Sequence, residues 1–179
     1  LVDKSGNYYF MEMNTRIQVE HPITEMITGV DIVRQQIRIA SGLKLNIKQE
    51  DVKINGYAIE CRITAEDTKN NFAPSPGKIK FLNVPCGNGV RIETAVYNGY
   101  TIPPFYDSMI MKVITYAPTR LACIKKMRAT LEELFVDGVK TNIEFQYLLL
   151  HSAKFISGRY DTSYVANYIK ELSENAEFI

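Results

Sequence analysis

Between residues 12 and 22 the chain reads Glu12-Met13-Asn14-Thr15-Arg16-Ile17-Gln18-Val19-Glu20-His21-Pro22, and each even position up to 20 carries a side chain able to do chemistry. Met11, Met13, Ile17 and Val19, at odd positions, are apolar. In extended chain alternate residues share a face, so two carboxylates, two amides and a guanidinium would point the same way. Glu12 and Asn14 offer oxygen atoms of the kind that a hard cation such as Mg²⁺ prefers. Arg16 offers a planar fork matched to a carboxylate-shaped anion, and Glu20 would stand beside that anion as a base. Eight residues of strand span roughly 27 Å, too far for one small ligand, so the segment must curl or serve two adjacent subsites. The same alternation also describes a solvated strand face. In that reading Arg16 and Glu20 pair as a surface salt bridge worth under about 1 kcal/mol. His21, ahead of Pro22, reads as a structural hydrogen-bonder rather than a ligand.

The elements that must position this stripe follow from periodicity. Residues 8–14 are aromatic-rich, follow a Ser-Gly-Asn turn and read as a strand after a hairpin. A short helix is expected from Ile23 to Thr28, stopped by Gly29. A longer one is capped by Asp31 and runs to Ser41, with Gly42 as its stop. From Gly56 the period becomes two, with Tyr57, Ile59, Cys61, Ile63 and Ala65 alternating against Ala58, Glu60, Arg62, Thr64 and Glu66. Further strands are expected at 78–84, 90–96 and 108–116. The Gly87-Asn88-Gly89 and Asn98-Gly99 signals between them imply a mainly antiparallel sheet of sequence neighbours. Thr119 caps a helix to about Leu134 that Asp137-Gly138 breaks. Asn142 opens another through His151, and a last one covers about 162–173. Strands first and helices after make an α+β fold, with a domain boundary near residues 42–55.

Composition narrows the function. Hydrophobic residues make up 46% of 179 residues, enough for a packed core. Lys and Arg total 21 against 20 for Asp and Glu, so nothing points to nucleic acid or a membrane surface, and a basic site must be local. The three cysteines, Cys61, Cys86 and Cys123, are far apart, with no CxxC, and only two histidines are present. That pattern fits free thiols in a reducing cytoplasm better than structural zinc. No run of about 18 apolar residues exists to span a membrane. No signal peptide is visible. The chain opens on Leu1-Val2-Asp3 and reads as part of something longer.

Residues 12–25, EMNTRIQVEHPITE, resemble a long motif of the biotin carboxylases, the ATP-grasp component of biotin-dependent carboxylases. Four further stretches agree with that family: Gly56 to Ile63 with Ala65-Glu66-Asp67, Pro74 to Ile79, Tyr106 to Ile110, and Asp137 to Asn142. The resemblance covers nearly the whole chain and weakens after about residue 155. It implies that residues 1–45 end an ATP-grasp domain and that 46–179 form a biotin carboxylase C-terminal domain. It implies Glu12 and Asn14 as ligands of the Mg²⁺ or Mn²⁺ bound with ATP, and Leu1, Met11 and Glu12 as ATP contacts. Arg16, Gln18 and the Val19 backbone would hold bicarbonate. Arg16 and Glu20 would be catalytic, Glu20 as the base that deprotonates bicarbonate. Arg62 would bind biotin and stabilise its enolate.

The implied reaction carboxylates biotin on a carrier protein or domain, using ATP and bicarbonate, in partnership with a carboxyltransferase. Its setting would be cytoplasmic, in a homodimeric parent serving acetyl-CoA carboxylase and fatty acid synthesis, or a pyruvate, propionyl-CoA or other acyl-CoA carboxylase. Some family features are absent. The glycine-rich lid, the nucleotide lysines and another metal-binding Glu would precede Leu1, so the isolated chain is expected to be inactive. Asn88 stands where relatives often carry a bulky apolar residue, which bears on a family dimer contact. No Met-Lys-Met biotinylation sequence occurs. Two other readings remain open at this stage: another ATP-grasp ligase, and a dimerisation module built on residues 56–179.

Overall fold

A computed structural model describes residues 1–174. In chain order the helices are α1 (His21–Thr28), α2 (Ile32–Ala40), α3 (Arg120–Glu133), α4 (Ile143–His151), α5 (Ala153–Ser157) and α6 (Tyr164–Glu174). The strands are β1 (Tyr57–Thr64), β2 (Glu66–Asp67), β3 (Ala73–Pro74), β4 (Gly77–Lys78), β5 (Phe81–Asn83), β6 (Val90–Thr94), β7 (Thr101–Ile102), β8 (Met109–Ala117) and β9 (Phe135–Asp137). The fold is α+β and every strand pairing is antiparallel.

The helix limits obey local chemistry. Asp31 accepts a hydrogen bond from the Arg34 N–H at 2.8 Å, and Thr119 accepts one from the Ala122 N–H at 3.3 Å, so α2 and α3 start at their capping residues. Pro22 opens α1, where its missing N–H costs nothing, and Gly29 closes it in the left-handed region. α6 begins two residues later than periodicity predicts, and α5 is an additional short helix.

Strand partners depart from expectation. The main sheet has the order β1-β8-β6, so its central strand lies far from both neighbours in sequence. The stretch at 78–84 is split between β4, which pairs with β7, and β5, which pairs with β9. Gly87-Asn88-Gly89 therefore joins two strands that do not pair, and so does Asn98-Gly99. A glycine turn reports a chain reversal, whereas the partner is chosen by which edge offers unpaired backbone groups and a matching apolar face. β8 offers two edges and is buried at most positions. β9 was hidden because Leu134, Phe135 and Val136 continue the apolar run of α3. Gly138 follows it with φ of 104°, and a Cβ there would sit 2.2 Å from the Lys78 carbonyl oxygen. Glycine is required for that close approach.

Residues 8–14 are not a strand. Val2 and Tyr8 form an isolated bridge, and Asp3 holds the turn by accepting from the N–H groups of Ser5 and Asn7 at 2.8 and 2.9 Å. Beyond the bridge no neighbouring strand supplies a ladder, and Tyr8, Phe10, Met11 and Met13 are exposed. The expected alternating face over 12–20 is therefore irregular chain.

The core lies on one side of the main sheet. Cys61, Ile63, Met111 and Val113 face Cys123, Ile124, Met127 and Leu131 of α3, all at 4% exposure or less. α1 packs against β1 and β8, and Ile114, fully buried, alternates with the residues of the core face. Burial pushes the Cys61 thiol up to about 12 and raises Cys123, while Cys86 is exposed. A thiol reagent at pH 8 should therefore label Cys86 alone in the native protein, with the other two reacting only after denaturation. Fast labelling of all three under native conditions would contradict this packing.

Candidate functional site

The antiparallel register decides what the second face of the sheet carries. Arg62 lies opposite Lys112, Glu60 opposite Ile114, Glu93 opposite Lys112 and Arg91 opposite Ile114. Alternation places Glu60, Arg62, Lys112, Arg91 and Glu93 on one face, with the core on the other. Onto this charged face come the loop at 18–20 and α1. Arg62 pairs with Glu20, and Lys112 donates to the Val19 carbonyl oxygen at 3.3 Å. Arg91 donates to Glu25 of α1 at 2.7 Å and also pairs with Glu93, which Lys112 engages from the other side. Glu25 uses its other oxygen to accept from the Ile32 N–H at 2.7 Å, tying the start of α2 to the same network.

Arg62 is held through its backbone as well. β1 is an edge strand of the main sheet, and its register shifts between Ile63 and Thr64. A bulge re-aims side chains and leaves backbone groups unpaired. Asn142 supplies the partners: its side-chain oxygen accepts from the Thr64 N–H at 3.0 Å, its side-chain nitrogen donates to the Arg62 carbonyl at 3.0 Å, and its own N–H donates to the Thr64 carbonyl at 3.2 Å. Gln146, one turn further along α4, donates to the same Arg62 carbonyl at 2.6 Å. The amide of Asn142 thus closes the free edge of β1 as a neighbouring strand would.

The stripe residues fall into three groups. The Asn14 side-chain nitrogen lies 3.3 Å from a Glu12 oxygen, with both residues exposed. Arg16 donates to the Gln18 side-chain oxygen at 3.1 Å and to the Ile17 carbonyl at 3.2 Å. Glu20 turns to Arg62 rather than to Arg16, so the expected surface pair is replaced by one linking residues 42 apart in sequence. His21 is structural, its Nδ1 lying 2.8 Å from the Gln18 carbonyl oxygen. Leu1 and Met11 are exposed, on the two arms of the first turn, where the Tyr9 N–H donates to the Leu1 carbonyl at 2.8 Å. Among the described residues no three His, Cys, Asp or Glu side chains gather to hold a metal ion.

Electrostatics separates the carboxylates. Glu20 is held below the usual carboxylate range by its own backbone N–H, with Arg62 and Arg16 adding to the effect. Burial would raise Glu93, but hydrogen bonds from Lys112 and Arg91 bring it below its ordinary value. Glu60 is the opposite case: burial pushes it up, against the pull of Lys112 and Arg62. Sequence reading missed Glu60, Lys112, Glu93, Asn142 and Gln146 as parts of this site. The available signals were the polar side of the β1 alternation and the Asn that opens α4.

Residues 60–167, the stretch that carries Arg62, its bulge and its Asn142 clamp, match the family model described as biotin carboxylase C-terminal domain. The chain belongs to that family. Residues 1–48 match a second model, the ATP binding domain of the carbamoyl-phosphate synthase L chain. Biotin carboxylase 1 of Bacillus subtilis is 55% identical over 161 residues, covering 90% of this chain and 36% of the relative. The chloroplastic biotin carboxylase of Arabidopsis thaliana is 46% identical over 179 residues, covering all of this chain and 33% of the relative. This chain thus spans about a third of the length of these relatives.

Among solved structures, the biotin carboxylase domain dimer of Hydrogenobacter thermophilus 2-oxoglutarate carboxylase, in complex with MgADP, ADP and bicarbonate, superposes with a TM-score of 0.89. It is 51% identical over 93% of this chain and 37% of that one. The biotin carboxylase subunit of pyruvate carboxylase gives a TM-score of 0.87 at 52% identity, over 99% of this chain and 38% of that one.

Within this family fold, the Asn142 clamp makes a measurable claim. Asn142→Ala would leave the half-buried Thr64 N–H without its partner and should lower unfolding stability by about 1–3 kcal/mol. Gln146→Ala should cost less, because the Arg62 carbonyl keeps its bond from Asn142. Urea titration of the two variants beside the parent tests the order, and equal losses would refute it.

Proposed function

We propose that this chain is the C-terminal part of a biotin carboxylase, which uses ATP and bicarbonate to carboxylate biotin on a carrier protein or domain. The observation that carries the proposal is the Glu20–Arg62 pair. It joins the 12–22 segment, suited to an anion and a cation, to the strand that presents a clamped arginine. In this reading residues 1–45 end an ATP-grasp domain and 46–179 form the C-terminal domain. The family matches over 1–48 and 60–167 support that division.

Arg16, Gln18 and the Val19 backbone hold bicarbonate, and Glu20 takes its proton, improving a poor nucleophile for attack on the γ-phosphate of ATP. The carboxyphosphate so formed breaks into CO₂ and phosphate, and the phosphate removes the proton from the biotin nitrogen. Arg62 stabilises negative charge on the biotin ureido oxygen, a fixed cation aimed at developing charge. Leu1, Met11 and Glu12 border the nucleotide.

Glu12 and Asn14 have the chemistry for a hard cation, a carboxylate and an amide oxygen on two exposed residues that the Asn14 nitrogen, 3.3 Å from a Glu12 oxygen, holds side by side. Magnesium typically takes one or two carboxylates and completes its shell with phosphates and water, so Mg²⁺ or Mn²⁺ held here would neutralise charge on the ATP phosphates. The parent is proposed to be a cytoplasmic homodimer working with a biotin carrier and a carboxyltransferase. Service to acetyl-CoA carboxylase and fatty acid synthesis comes first, and a pyruvate, propionyl-CoA or other acyl-CoA carboxylase second. Among the described residues no helix is long and apolar enough to cross a membrane.

Two tests follow. Glu20→Gln in the full-length enzyme should lower kcat by about 10²–10⁴-fold, the scale of general-base catalysis. Glu12→Gln should instead raise the Mg²⁺ concentration needed. A Glu20→Gln defect rescued by added Mg²⁺ would mean the two carboxylates exchange roles. The 179-residue chain alone should release no ADP in the presence of biotin and bicarbonate, because phosphoryl transfer needs charge clamped on the phosphates. Biotin-dependent ADP release from the verified chain would refute this.

A further inference from the structure

Glu60 is the anomaly of the charged face. Its side chain is only 5% exposed, yet both carboxylate oxygens lack a hydrogen-bond donor. A buried carboxylate that receives no hydrogen bond is costly. The charged groups around it come from every element that meets this face. Arg62 lies two residues along the same strand, with its Nε 3.8 Å from a Glu60 oxygen. Lys112 of β8 pulls on Glu60 electrostatically but spends its hydrogen bonds on Glu93 and the Val19 carbonyl. Glu93 of β6 and Glu20 of the loop repel it, while Arg91 is occupied by Glu25 and Glu93.

The geometry leaves Arg62 between two carboxylates. Glu20 meets the terminal Nη2 of the guanidinium from the loop side, and Glu60 faces its Nε from within the sheet. We propose that Glu60 is a positioning residue for Arg62, the second counter-ion that keeps the guanidinium aimed when Glu20 is protonated. The inference rests on the proposed reaction, in which Glu20 accepts the bicarbonate proton. That proton makes Glu20 neutral and removes one of the two anions beside Arg62, just before the arginine is needed at the biotin oxygen. Glu60, its side chain only 5% exposed, keeps its charge through that step, held by Lys112 and Arg62 against the burial that raises it. The missing hydrogen bonds fit this role, because a carboxylate already saturated by other donors would pull less on Arg62.

The test is the order of two substitutions in the full-length enzyme. Glu60→Gln keeps the size and removes the charge; Glu60→Asp keeps the charge and leaves a small void. Glu60→Gln should lower kcat for carboxylation of free biotin by about 10–100-fold, the loss expected when a reacting group is misplaced by an ångström or so. KM for ATP should stay within about twofold, since neither substitution touches the nucleotide contacts. Glu60→Asp should be the faster variant of the two, and the Tm of Glu60→Gln should equal or exceed the parent's. A packing role predicts the reverse: Glu60→Gln near parental and Glu60→Asp the more damaged in both rate and Tm. Either that order or a parental rate for Glu60→Gln overturns the proposal. The unsubstituted enzyme in the same assay separates the two layers, since its own failure to carboxylate biotin would refute the proposed function itself.

Discussion

Strand β1 has to present chemically opposite faces at once, and most of the structure follows from how that is accomplished. Its odd residues enter a core closed by α3, which fixes the register against β8, because a one-residue slip would drive Glu60 and Arg62 into that core. With the register set, the even residues form a charged surface that water alone does not cover. The loop at 18–20 and α1 lie over it, and each positive charge there finds a carboxylate or carbonyl. The contact between the N-terminal segment and this face of the sheet is therefore largely electrostatic, and Ile114 of β8 and Pro22 of α1 are both fully buried.

This arrangement makes Arg62 unusually well fixed for a side chain that is 45% exposed. Its backbone is clamped by Asn142 and Gln146 at the start of α4, its strand is bulged just beyond it, and its guanidinium stands between Glu20 and Glu60. An exposed ion pair by itself contributes little to stability. Here the value of the pair is geometric: it places an arginine of the sheet against the segment that carries Arg16 and Gln18. The two chemistries proposed for the enzyme, activating bicarbonate and holding biotin, thereby meet at one contact.

The carboxylates on this face show how environment divides identical groups. Glu20, at the surface with its own N–H and two arginines, is held as an anion. Glu93 keeps its charge because Lys112 and Arg91 both donate to it. Glu60, enclosed and without donors, is pushed the other way. Burial without hydrogen bonds raises a carboxyl group, whereas donors at short range lower it, and the sheet register decides which residue receives which treatment.

Local chemistry was legible in the sequence. Asp31 and Thr119 marked the starts of α2 and α3, Gly29 marked the end of α1, which begins at His21 and not at the expected Ile23, and the period of two from Tyr57 marked β1 with its polar side. These signals act within a few residues of chain, so the residues that produce them are neighbours in sequence. The EMNTRIQVEHPITE stretch pointed to the biotin carboxylases, and the family match over 60–167 and the relatives that span both regions agree with that resemblance. Tertiary structure alone decided the partners. β8 lies between β1 and β6, β9 lies beside β5, and residues 8–14 do not extend as a strand because no adjacent edge completes their hydrogen bonds. It also decided that Glu20 reaches Arg62, that Asn142 closes the edge of β1, and that Glu60 is buried without a donor. Each of these depends on contacts between residues tens of positions apart, and pattern within a segment carries no information about which distant surface will cover it.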